Sequence, residues 1–259
     1  MDFLTDAGYL ATILVFFRIG GIFLPVPIFG SNNIPPQVKV GFVLLLSLIM
    51  VPVTLDQFNP AVIDSFPALL YYGVSEFLIG LSYGLVSAVF INAVYFAGAI
   101  IDMSVGLSIV SVISPQDEQE IPVSANLLYL LGVMIFLATD MHHVLIRGIL
   151  DTFRILPVGT GIYNFSGVMQ FNNYLSTSLI IGFQLSAPFI FTMLMIDIIL
   201  GLLSKAMPSM NIFVLGLPLK ILIGFILYLI LIPYYGNQMS SLFENMFQMM
   251  NEYMRGLGQ

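Results

Sequence analysis

The sequence predicts an all-α, hydrophobic, membrane-associated protein with kinked and re-entrant helices, and three observations predict it. Charged residues make up 8% of the chain against 59% hydrophobic ones, with a mean hydropathy of +1.01, whereas soluble domains carry about 25% charged residues. Apolar runs of near-spanning length follow one another along the chain. They leave no stretch long enough for a separate aqueous domain, so residues 1–259 read as a single helical domain. Breakers also fall inside or beside these runs, most densely at 208–220, which reads Pro-Ser-Met-Asn-Ile-Phe-Val-Leu-Gly-Leu-Pro-Leu-Lys. In hydrocarbon an unpaired backbone N–H or C=O costs several kcal/mol, so irregular backbone there must lie outside the bilayer or be buried in protein.

Residues 9–28 form the first apolar segment, long enough to span ~30 Å at ~1.5 Å per residue. It carries Arg18 in its middle and Pro25 and Pro27 near its end, and an irregular turn with Pro35 follows. A second, slightly short candidate covers 38–55, and the loop at 56–67, with two acids and two prolines, reads as solvent-exposed. The run 69–113 is too long for one span and contains no polar loop, which predicts two helices joined by a tight turn or one broken helix. Its small residues Gly73, Gly80, Gly84, Gly98 and Gly106 recur at helical spacing. Such spacing lets backbones approach closely and favours packing between helices over lipid exposure. The stretch 114–122 is the most acidic, 127–139 is a short apolar run, and 140–173 is mixed. Residues 175–203 predict a long helix kinked at Pro188, and 213–235 a last apolar run containing Pro218. From 238 to 257 the pattern changes. Met239, Leu242, Phe243, Met246, Phe247, Met250, Tyr253, Met254 and Leu257 fall at i, i+3, i+4 intervals, the mark of an amphipathic helix. Its apolar face would lie on lipid or make an adaptable protein contact.

The formal net charge of −7, from 14 acids and 7 bases with no basic cluster, argues against nucleic-acid binding. Absence of cysteine excludes disulfides, thiolate metal sites and cysteine nucleophiles. Without Trp, any interfacial belt falls to Tyr and Phe. The acidic N-terminus has no signal-peptide pattern. Strict alternation of seven crossings cannot place Lys39, Arg147, Arg154 and Lys205 on one side, so some segments are expected to be re-entrant.

Ionisable groups in apolar runs are costly, and Arg18, Glu76, Asp102, Asp140 and Asp197 each require a partner or a wet cavity. Asp102, Asp140 and Asp197 could line an ion or proton pathway. The alternative is helix-to-helix pairing, with Arg18 taking one of the acids, or contact with another subunit. No spacing brings two acids onto one helical face, which favours pairing. His142 and His143 are adjacent, so on a helix they point about 100° apart and are not expected to share a metal ion. With no nucleophile elbow, no H-E-x-x-H and no phosphate-cradling loop, the chain offers no catalytic constellation, and neither enzyme activity nor cofactor is expected.

One set of residues recurs in order across nearly the whole length. It begins with Phe17-Arg18-Ile19-Gly20-Gly21-Ile22-Phe23, Pro27, Phe29-Gly30, Ile34-Pro35, Val38-Lys39 and Pro52. Glu76, Gly80, Gly84, the stretch Ala97-Gly98-Ala99-Ile100-Ile101-Asp102, Gly106 and Pro115 follow. Phe136, Asp140, His142-His143 and Leu156-Pro157 come next, then Pro208, Asn211-Ile212-Phe213, Gly216 and Pro218-Leu219-Lys220. Singly these elements are weak; in one order they are specific. The chain resembles the FliR family, called SctT in injectisomes, an export-gate component of the bacterial type III protein secretion apparatus. It departs from the pattern at Ser209-Met210, where flagellar members often show Gln-Met.

The resemblance implies a non-enzymatic structural subunit, similar to a fusion of FliP and FliQ, that completes a helical assembly with several FliP-like and FliQ-like subunits around a protein-conducting channel. FlhB-like and FlhA-like proteins would adjoin it, and unfolded export substrates would pass through it, in the bacterial inner membrane at the flagellar basal body. It also implies that a loop carrying Leu107, Ile109, Val110, Val112, Ile113 and Pro115 plugs the resting pore; an ordinary exposed loop is the alternative. An apolar plug leaves no room for hydrated ions. Two competing readings are an injectisome subunit, and a small secondary transporter with Pro188, Pro218 and Asp197 lining a substrate path at broken helices.

Overall fold

Long apolar segments satisfy their backbone groups internally only as helix, and a computed structural model of the chain shows this at length. It describes residues 6–26, 34–108, 122–161, 166–207 and 212–258, without the side chains of residues 6, 166–171 and 212–213. Among these are α1 (Asp6–Phe23), α2 (Pro36–Thr54), α3 (Phe66–Val105), α4 (Val123–Ala138), α5 (Met141–Ile155), α6 (Ser166–Ala206) and α7 (Ile212–Leu257). Two short 3-10 turns, Leu55–Gln57 and Pro60–Val62, lie between α2 and α3, and no strand occurs among the described residues. Four helical stretches are long and apolar enough to cross a membrane. The chain bends by 75° between α4 and α5, which form a broken or re-entrant pair.

Three expectations are corrected. The run 69–113 is neither two helices nor a broken one up to residue 105, because α3 continues for 40 residues. No proline occurs between Pro67 and Pro115, and its interior glycines sit at contacts with other segments rather than at breaks. The helix ends at Gly106, whose φ of 93° a residue with a Cβ adopts only at a cost. The irregular backbone expected over 208–220 is also narrower, since Ile212 onward is helical through Gly216 and Pro218. Residues 208–211 lie outside the described residues. Finally, the amphipathic tail is not a separate helix: it continues the last apolar run through Pro233 as one helix of 46 residues.

The chain divides into two compact units assembled from separate segments. The first takes residues up to Phe90, Asp140–Leu175 and Phe243–Gln259. Its centre is the crossing of α1 with the first half of α3, where a Cβ added at Gly80 or Gly84 would fall on the carbonyl oxygen of Arg18 or Ile22, and one at Gly21 on that of Phe77. Glycine is required there because the two backbones touch. Ala11, Leu14, Ile19 and Ile22 of α1 are fully buried, and Phe23 meets Phe42 of α2 edge to face at 5.5 Å between centroids. The end of α7 closes this unit with Phe243, Met246, Phe247, Met250, Tyr253, Met254 and Leu257, all buried. Of the two fates open to that apolar face, the chain's own interior takes it.

The second unit takes Ile91–Thr139 and Ser176–Leu242. Here the second half of α3 meets the start of α4 at Gly98, whose added Cβ would collide with the backbone of Ala125. Phe96 packs edge to face on Phe183 of α6 at 5.3 Å, and the Tyr235 hydroxyl of α7 donates to the Leu185 carbonyl at 3.1 Å. Much apolar surface of this unit stays uncovered, including Phe191, Leu202, Val214, Leu229 and Ile230. Patches of that extent call for lipid or another protein.

Candidate functional site

The charges singled out by sequence resolve into three local constructions. In the first unit, Arg18 is fully buried. Its Nε donates to Glu76 Oε2, and its Nη1 donates to the carbonyls of Leu156 at 2.7 Å and Thr152 at 3.2 Å. The other carboxylate oxygen of Glu76 accepts the Gly159 N–H at 2.9 Å. The guanidinium also lies over the Phe153 ring, 4.7 Å from its centroid. One ion pair thereby joins α1, α3, the C-terminal end of α5 and the loop after it. That end carries partial negative charge and carbonyls with lone pairs to spare, so a cation there is stabilised twice. Sequence reasoning flagged Arg18 and Glu76, and Leu156 only within the family pattern, but did not find Thr152, Leu156 and Gly159 as their partners, which take part through backbone atoms and leave no trace in residue type.

In the second unit, Asp102 accepts the Ser124 N–H at 3.1 Å and the Ser124 hydroxyl. Helix α4 opens after Pro122, which has no capping side chain. Asp102 therefore supplies from α3 the acceptor that an N-cap residue would ordinarily provide. The third construction is the pair of Lys220 Nζ with Asp197 Oδ1 at 2.5 Å, joining α7 to α6. Lys220 also reaches the Ser104 carbonyl at 3.4 Å. This pair borders an open cleft of about 410 Å³ whose wall includes Met103, Gly106, Leu200, Gly216 and Leu217. Asp197 is half exposed, so its charge keeps part of its hydration.

The fourth acid, Asp140, stands at the bend between α4 and α5 with φ of 56°. The divergence expected of the adjacent histidines is not realised. Their ring centroids are 4.1 Å apart, and His143 Nδ1 and His142 Nε2 lie 3.5 and 4.0 Å from Asp140 Oδ1. Helical spacing fixes where Cβ atoms point, and side-chain torsions bring the rings back together.

Of the remaining positions, Gly98 and Gly216 pack on Ala125 and Leu200, Pro218 sits inside α7, and Pro35 precedes α2 as its N-cap. Leu107 follows Gly106, and both N–H groups converge on the Asp102 carbonyl at 2.9 Å. Ile109, Val110, Val112, Ile113 and Pro115, with Pro27, Pro208 and Asn211, lie outside the described residues, as does the side chain of Phe213.

Comparison with known proteins agrees with the resemblance. The family model "Bacterial export proteins, family 1" matches residues 9–246. The flagellar biosynthetic protein FliR of Bacillus subtilis (strain 168) is 35% identical over 254 residues, covering 95% of this chain and 94% of its own. The proteins of that name from Escherichia coli (strain K12) and Aquifex aeolicus (strain VF5) are 30% and 28% identical, covering 90% and 98% of this chain and 88% and 98% of theirs. With matched residues spread over both compact units, the chain belongs to the bacterial export proteins, family 1, the FliR family.

Proposed function

We propose that the chain is a structural, non-enzymatic subunit of the export gate of the flagellar type III secretion apparatus. It would assemble with FliP-like and FliQ-like subunits beside FlhB-like and FlhA-like proteins in the bacterial inner membrane at the flagellar basal body. The observation that carries this reading is the near full-length similarity to flagellar biosynthetic protein FliR of Bacillus subtilis. The uncovered apolar faces of α2, α6 and α7 suit burial against neighbouring subunits. The segment after Gly106 is proposed to plug the resting channel. Its starting point supports this, because a helix terminated by a left-handed glycine can redirect the following chain without unfolding the helix.

Co-purification tests the reading. Expressed with FliP-like and FliQ-like subunits from the same genome, the chain should elute with them as one complex; stable, monodisperse protein that ignores them would overturn the assignment. For the plug, deletion of residues 108–120 should raise ion leakage through assembled gates. Unchanged conductance in an intact complex would remove the plug while leaving the subunit role standing.

A further inference from the structure

We propose that Asp140, His142 and His143 form a binding site for a divalent transition-metal cation of the zinc, nickel or copper class. The site is independent of the gate reading, since it rests on the geometry of four consecutive residues. Each side chain offers one ligand atom, and the three atoms lie within 4.8 Å of one another. A tetrahedral ion with ligands at ~2.1 Å holds them ~3.4 Å apart. The separations of 3.5 and 4.0 Å from Asp140 Oδ1 are close to that edge length. They are too long for good hydrogen bonds. His143 is mostly exposed, so solvent rather than packed side chains borders much of its ring.

Two further observations show groups left uncommitted by the fold. Asp140 occupies the N-cap position of α5, where an aspartate ordinarily accepts from the first turn, yet its side chain makes no cap hydrogen bond. Its carboxylate is turned towards the imidazoles instead. His142 Nδ1 is buried and has no hydrogen-bond partner among the described residues, so no hydrogen bond at that nitrogen fixes the ring, and it is Nε2 that faces Asp140 Oδ1. The backbone departs from the usual for this arrangement, because Asp140 stands in the left-handed region that favours glycine. Two imidazoles with one carboxylate suit borderline transition metals rather than calcium or magnesium, which take oxygen ligands. Three protein ligands leave a coordination position open to water or to a group from another molecule. A bound ion would staple the first turn of α5 to the residue at the bend.

The full chain, purified through a tag without histidines and stripped with chelator, is titrated with zinc chloride alone, and retained metal is measured after gel filtration. One zinc per chain is expected. His142→Ala and His143→Ala should each weaken binding by at least about tenfold, as loss of a ligand does at least as much as loss of its orienting partner, and the double variant should abolish it. Circular dichroism checks that the variants keep their helix. Cobalt(II) gives a reading that needs no variant: an intense visible band from a four-coordinate nitrogen and oxygen site supports the proposal, and the pale spectrum of the hydrated ion overturns it. Absence of stoichiometric zinc, or uptake unchanged in the double variant, equally overturns it.

Discussion

Replacing Glu76 with alanine removes the anion that faces Arg18. The magnitude follows from burial: both side chains are essentially inaccessible, so water cannot re-enter to solvate the stranded guanidinium. Breaking a buried pair from one side costs about 3–5 kcal/mol. The Gly159 N–H loses its acceptor in the same change, which places Glu76→Ala towards the upper end. For a chain of this size about 1 kcal/mol moves the midpoint by 2–4 °C, which gives roughly 6–20 °C. The chain has neither Trp nor Cys, so tryptophan fluorescence and thiol dyes report nothing; far-UV circular dichroism or gel filtration after heating is the suitable assay. The double variant Arg18→Met with Glu76→Leu supplies the control, because a well-packed apolar pair of similar volume is often neutral relative to the ion pair. It should recover most of the loss, less the contribution of the carbonyls of Thr152 and Leu156. Two results would refute the reasoning: a Glu76→Ala shift no larger than that of the exposed Asp56→Ala, or a double variant as unstable as the worse single one.

Substitutions at four further positions separate packing from charge. Gly80→Leu drives a side chain into the Arg18 carbonyl and should cost about 3 kcal/mol or more. Gly20→Ala, whose new methyl would meet only Val43 at 3.8 Å, should leave the midpoint level or raise it through helix propensity. Asp102→Ala strips the start of α4 of its acceptor and should cost about 1–2 kcal/mol, with faster amide exchange at Ser124; Asp102→Asn keeps an acceptor and should lose less. Lys220→Ala breaks a pair with a half-exposed partner and should change stability by no more than about 1 kcal/mol. Its abundance on immunoblots should therefore match the parent, and any fall in flagellar export would reflect the cleft rather than misfolding.

The helical class was legible because composition alone excludes an aqueous core, and the tail was legible because nine apolar residues keep a 3.6-residue rhythm. The identity of the partners was not. Arg18 demands an anion, but Glu76 lies 58 residues away, and spacing within one helix carries no information about a neighbouring helix. The carbonyls that complete the site are invisible to residue type altogether. The break expected in 69–113 failed for a different reason: bilayer thickness limits the length of a crossing, not the length of a helix. Nothing in α3 stops helical propagation before Gly106, and its glycines mark where α1 and α4 press against it. The two histidines diverge at Cβ yet their rings meet at 4.1 Å, because spacing sets only the first of these.

That distinction between a crossing and a helix bears on how the chain can sit in a membrane. At ~1.5 Å per residue, α3, α6 and α7 run to ~60–70 Å, about twice the ~30 Å of a hydrocarbon core. Part of each must therefore be buried in protein or reach water. Helix α7 divides accordingly. Its last part closes onto the first unit through a buried stripe of Met, Phe and Tyr, while its early turns present Val214, Leu222, Leu229 and Ile230 uncovered. The covered part contains Glu244, Glu252 and Arg255 among its exposed positions, and the uncovered part has Lys220 as its charge, paired to Asp197. Charge placement thus follows the division: acids and bases stand where the helix has already found its apolar partner within the chain, and are withheld or neutralised where the apolar surface is left for lipid or for another subunit.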